Sequence, residues 1–165
     1  MSNADISGEE SPTREVLAKL LMCASLTSNS LAAGYRLTVQ IPEVLDWLVA
    51  EGFVDVTTTD GSLEYATIRF EPVLGKLAGY RADPRNSPLS RSNVDVLAIA
   101  ASLSGVGSVN LRSSMNLDRF AVQQVAEAVM YANGFMDGVA DPVANDAAGG
   151  GPNARAHDAL VDEFL

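Results

Sequence analysis

Two stretches of this chain resemble each other, and that likeness limits the folds open to it more than any other feature. Glu15–Asp55 and Asp95–Asp137 each open on an acidic residue followed by Val-Leu-Ala (Val16, Leu17, Ala18; Val96, Leu97, Ala98). Each closes on Ala-x-Gly-Phe-x-Asp (Ala50, Gly52, Phe53, Asp55; Ala132, Gly134, Phe135, Asp137). The offset is 80 residues at the start and 82 at the end, so a two-residue insertion reconciles the copies. A solenoid needs about three or more repeats. Two copies predict a duplicated small domain instead.

Local signals give each copy an outline. Ser11-Pro12 pairs an N-cap with a proline at the first helical position, and Val16, Leu17, Leu20, Leu21 and Ala24 follow at helical spacing. Thr27–Ser30 predicts a turn, Leu31–Gly34 a short helix, and Arg36–Ile41 an extended segment, because Ile41 precedes a proline. Pro42 then opens a helix with Val44, Leu45, Leu48 and Val49 on one side, and Gly52 stops it. Phe53–Thr57 and Leu63–Phe70 read as strands around Asp60-Gly61, a hairpin signal, with Ala66, Ile68 and Phe70 on one face. Helix, turn, helix, glycine and hairpin is the outline of a winged helix.

After a short helix at Glu71–Tyr80, the segment Ala82–Ser92 carries two prolines and predicts a linker. Ser92 and Asp95 resemble a capping box for a helix from Asn93 that ends near Ser104-Gly105. Asn116 is the expected cap of the longest helix, whose stripe is Leu117, Phe120, Ala121, Val125, Ala128, Val129 and Ala132. No wing follows Phe135. The expected fold is therefore mainly α with a small β-hairpin (α+β), built from duplicated winged-helix or helix-turn-helix-like domains. Its expected parts are a polar tail at 1–10, a winged-helix-like domain at 11–81, a linker at 82–92, a wingless second repeat at 93–137 and a flexible acidic tail at 138–165.

The residue types argue against catalysis. The one histidine, His157, lies in the expected tail, so no Ser-His or Cys-His pair has a base in the core. No Cys/His set has zinc spacing, and Gly105-Val106-Gly107 lacks the Gly and Lys-Ser/Thr of a phosphate loop. Cys23 is the only cysteine and sits among apolar residues, the setting of a small buried hydrophobe. Ser113-Ser114 beside Arg112 reads as a polar turn before a helix. No catalytic residue, metal or cofactor is expected.

Charge argues about partners. The chain holds 11 basic and 21 acidic residues, a net −10, and the acidic excess lies at the two ends. Phosphate affinity comes mainly from Lys and Arg, so most of this surface repels nucleic acid. The helix from Pro42, in the position of a reading helix, carries Glu43, Asp46 and Glu51 and no basic residue. Trp47 with Glu43 and Asp46 is therefore expected to face a protein partner. In the second repeat Arg112, Ser114, Asn116, Arg119 and Gln123 are types that contact phosphates and base edges, which keeps a DNA-binding regulator as the second reading. Leu160 and Phe164, in the terminal AHDALVDEFL, give a short amphipathic stretch suited to docking in a partner's groove. The first residues, MSNADISGEESP, carry neither the basic nor the apolar part of a signal peptide, and no apolar run is long enough for a membrane span. A cytoplasmic protein without membrane contact is expected.

Pro88–Ser102, PLSRSNVDVLAIAAS, resembles the start of the second winged helix of ScpB-type proteins, the tandem winged-helix subunits that accompany the kleisin of SMC complexes. Leu89, Ser90 and Arg91 match that family's turn, and Leu97, Ala98 and Ile99 its helix core. Two departures are plain. Ser104–Ser108 replaces the family's Gln-Pro-Ile/Val-Thr-Arg turn, and its Gly-Arg-Pro wing is absent. The resemblance implies homodimerisation, kleisin or SMC binding and a part in chromosome segregation. The first expectation is thus a non-enzymatic tandem winged-helix interaction module. A viral or accessory structural protein is the third.

Overall fold

Thr13, Ser28, Ser90 and Asp118 start four of the helices. Their side-chain oxygens accept from the amides of Val16 (3.4 Å), Leu31 (3.3 Å), Asn93 (3.1 Å) and Ala121 (2.8 Å). Each satisfies one N–H that the helix itself leaves without a partner. The computed structural model describes residues 12–59, 62–110 and 116–135. Along them run α1 (Arg14–Ala24), α2 (Asn29–Val39), α3 (Pro42–Ala50), β1 (Val54–Thr59), β2 (Ser62–Ile68), α4 (Phe70–Ala82), a 3-10 turn (Pro84–Asn86), α5 (Arg91–Leu103) and α6 (Arg119–Ala132). The described chain is mainly helical with one antiparallel hairpin, an α+β fold. No helix among the described residues is long and apolar enough to cross a membrane.

Three caps differ from the sequence expectation. Ser11 lies outside the described residues, and Thr13 is the cap of α1. Ser90 rather than Ser92 starts α5, and Asp118 rather than Asn116 starts α6. The reason is tertiary. Ser92 Oγ accepts from the Asp118 amide at 3.3 Å, while Asp95 Oδ2 accepts from the Asn116 amide at 3.0 Å. Asp95 also receives Arg81 Nη2 on its other oxygen at 3.0 Å. The supposed capping box therefore anchors the entry to α6 onto α5. Helix ends follow expectation more closely. Gly52, Gly105 and Gly134 adopt positive φ, and the next amide in each case reaches back five residues: Phe53 to Leu48, Val106 to Ala101 and Phe135 to Met130. That is the bond pattern of a glycine-terminated helix.

The second helix is longer than expected. Arg36–Ile41, expected to be extended, is helical through Val39, and only Ile41 (φ −115°) leaves the helix before Pro42. The proline restricts its immediate predecessor and no more. Burial of Tyr35, Leu37 and Thr38 overrides the weak helix propensity of the β-branched Thr38 and Val39, and the Thr38 hydroxyl donates back to the Tyr35 carbonyl at 2.6 Å. In the hairpin Val54 pairs with Ile68 and Val56 with Ala66. Ala66 and Ile68 are buried, as the alternation predicts, and Tyr65 is exposed, whereas Phe70, expected to end the strand, is the buried first residue of α4. Residues 60–61 lie outside the described set.

α5 sits at the centre. Every residue from Val94 to Ala101 is buried, the signature of a helix surrounded on all sides. α2, α4 and α6 pack around it. Gly34 is where α2 crosses α5: a Cβ there would lie 2.1 Å from Ser104 Oγ and 2.6 Å from the Ala100 carbonyl oxygen. One hydrophobic cluster gathers Leu21, Leu37, Leu45 and Phe70 with Leu97 and Val125. The two sequence repeats share this core.

Candidate interaction surface

α3 does not present the surface expected of it. Glu43 and Asp46 are exposed, but Trp47 is only 7% exposed, so the expectation that it faces a partner is corrected. Its ring packs 5.4 Å from Phe53 and 6.1 Å from Tyr80, and Nε1 has no hydrogen-bond partner among the described residues. The apolar face is rotated relative to the predicted one: Trp47 joins Val44, Leu45 and Leu48, and Val49 is left 42% exposed. Two of the three carboxylates meet cations from other helices. Asp46 takes both Arg14 Nε (3.0 Å) and Arg14 Nη2, and Glu51 pairs with Lys76 of α4. Asp46 in turn pushes the Arg14 guanidinium above its ordinary pKa through that hydrogen bond and its charge. This face is closer to neutral than its sequence reads. Exposed pairs of this kind contribute little stability.

α6 carries the larger departure. Ala121, Val125 and Ala128 of the predicted stripe face the core, and Gln124, which the stripe did not include, is buried with them. Phe120 (58% exposed) and Val129 (37%), which the stripe included, lie outside it. Val129 instead joins Val122, Ala126 and Met130 on an outward face, at spacings of four, seven and eight residues from Val122. Phe135, just past the helix end, is 77% exposed. The polar members of this face are few. Arg119 stands at its first turn without an ion pair among the described residues, and the Gln123 amide donates to Glu127 at 2.9 Å. Helix α6 is thus apolar on two sides, one of them open to solvent.

The other candidates distribute as follows. Asn116 contributes its backbone amide to Asp95. Arg112, Ser114, Leu160 and Phe164 lie outside the described residues. Cys23, expected to be buried, is exposed, because it falls off the Leu17–Leu20–Leu21 stripe of α1. The sequence did carry a signal for the outer face, namely Val122 and Met130, two large apolar residues of α6 outside the predicted stripe. Comparison with protein-family models, curated proteins and solved structures finds no match to this chain.

Proposed function

We propose that the chain is a winged-helix-like, non-enzymatic interaction module that pairs with a second copy of itself through the outer face of α6. The order of three helices and a hairpin over residues 14–68 supports the winged-helix part of this reading. The observation that carries the pairing is the solvent-facing stripe Val122, Ala126, Val129 and Met130. Two such helices laid antiparallel about Ala126, the small residue mid-stripe, bring Val122 of one copy to Met130 of the other. The same arrangement sets Arg119 beside the partner helix's last turn, where the helix dipole places partial negative charge. The face is therefore self-complementary in shape and in charge.

Size sets the strength. α6 has 14 residues and is about 21 Å long, so its stripe falls short of the roughly 800 Å² per partner that a standard interface buries. Weak, reversible pairing follows, a reading that sedimentation equilibrium over a dilution series tests directly. A concentration-dependent monomer–dimer balance is expected, shifted to monomer by Val122→Asp or Met130→Asp with an unchanged helical signal. A monomer at every concentration up to about 1 mM would sink it. The helix that would have to read DNA under the regulator reading offers Val122, Val129 and Met130 where base readout needs polar side chains. Within the interaction reading, the kleisin-associated role is a narrower proposal and rests on residues 88–102 alone.

A further inference from the structure

Five of the nine cations among the described residues are held in ion pairs. Arg14, Lys19, Arg69, Lys76 and Arg81 each pair with a carboxylate. Arg91 makes no ion pair among the described residues, and it lines a cavity of about 270 Å³ between α4, the 3-10 turn and the start of α5. Tyr80, Leu89 and Val94 supply apolar wall, and Arg81 and Asp95 complete the polar side. The Asp95 side chain is only 7% exposed, yet both its oxygens are occupied, one by Arg81 and one by the Asn116 amide. A buried carboxylate satisfied in this way holds Arg81 in a fixed pose. Arg81 gives it a single nitrogen at hydrogen-bond distance, and the guanidinium has four further N–H donors.

We infer that this cavity binds a small organic monoanion, a carboxylate on a compact apolar ring. Two guanidiniums against one carboxylate leave a net +1 on the cavity wall. A monoanion cancels that charge, whereas a dianion would place excess negative charge near Asp95. The volume lies just under the range of about 300–1,000 Å³ for drug-sized ligands, which suits a single ring. Tyr80, Leu89 and Val94 would cover that ring, and Arg91 with Arg81 would grip the carboxylate through charge-assisted hydrogen bonds.

Benzoate is the probe. Titrated into the full-length, ¹⁵N-labelled protein at constant ionic strength, it is expected to shift the amides of Val94, Asp95 and Asn116 saturably. Trp47, the sole tryptophan, touches Tyr80 at 6.1 Å and offers a second readout by fluorescence. Benzamide, the neutral isostere, is expected to bind about tenfold more weakly, and Arg91→Ala to weaken benzoate by a similar factor. Arg91 is exposed on the first turn of α5, so its loss leaves the core intact. Lys19→Ala, a cation removed from distant α1, leaves benzoate affinity unchanged. Shifts that never saturate, benzamide binding as tightly as benzoate, or an Arg91→Ala protein that binds normally would each overturn the inference. Phenyl phosphate binding more tightly than benzoate would overturn the monoanion assignment.

Discussion

Tyr35 shows how one polar atom fixes the relation of two elements. Its ring is buried in the core beside Phe70, and its hydroxyl accepts the Ile68 amide of β2 at 3.2 Å. Tyr35→Phe leaves that amide buried without an acceptor, a loss expected to cost about 1–3 kcal/mol in urea unfolding. Burial raises the phenol's pKa above its ordinary 10.0, partly opposed by the bond from Ile68. Because the folded value exceeds the unfolded one, the contribution is complete below pH 10 and is lost as pH rises through the folded value. Stability of the wild type should therefore fall more steeply above pH 10 than that of Tyr35→Phe. Gly34 carries a second prediction. Gly34→Ala gains helix propensity of about 1 kcal/mol, but its Cβ meets Ser104 Oγ and the Ala100 carbonyl. Ser104 can rotate and the carbonyl cannot, so net destabilisation of about 1–3 kcal/mol is expected, with only partial rescue by Ser104→Ala. In the sequence Gly34 reads as the end of a short helix. A glycine letter looks the same whether it stops a helix or lets another approach, and only the packing partner tells them apart.

Helix ends explain both what the repeat reveals and what it conceals. Ala-x-Gly-Phe at 50–53 and at 132–135 is the residue pattern of a left-handed helix stop, and Gly105 makes a third such stop without the phenylalanine. The closing half of the repeat was therefore legible as geometry, and three helices share that geometry whether or not they descend from a common unit. Gly134→Ala forces a Cβ into positive φ and is expected to cost about 1 kcal/mol, read as earlier fraying of α6 by hydrogen exchange. At the other end of α6, Asp118 is held below its ordinary carboxylate pKa by the Ala121 amide first and by Ser92 next. A depressed folded value means the contribution is present above pH 3.8 and lost as pH falls through the folded value. Asp118→Asn keeps the cap and should remove that acid-side loss, whereas Asp118→Ala should loosen the first turn of α6 at every pH. Caps at Asp118 and Ser90 were hard to place because Ser92, Asp95 and Asn116 offered equally good letters. Their tertiary bonds removed them from competition. The outer face of α6 was hidden for a related reason, since a helix apolar on two sides reads as one wide stripe until its neighbours occupy one of them.

At the scale of the molecule, the deciding fact is where α5 lies. The sequence sets it at the start of a second unit, after a proline-containing segment that looks like a linker, and in the structure it is the axis on which α2, α4 and α6 pack. Val94, Val96, Leu97 and Ile99 are each at most 5% exposed, and burying four such side chains contributes roughly 6–12 kcal/mol. A domain of this size has a net stability of about 5–15 kcal/mol, so the first repeat cannot lose α5 and remain folded on its own. The expectation for a fragment of residues 1–86 follows. It should show no cooperative thermal transition and collapsed amide dispersion, because Ala33, Gly34 and Leu37 of α2 would face water where α5 and α6 now lie. Adding residues 87–165 as a separate chain should restore both signals, since the segment 82–92 joins the halves without supplying much of the core itself. Were 1–86 to unfold cooperatively by itself with native-like spectra, the shared core would be an accessory to two self-sufficient units. The tandem organisation read from the repeats would then describe the energetics as well as the sequence.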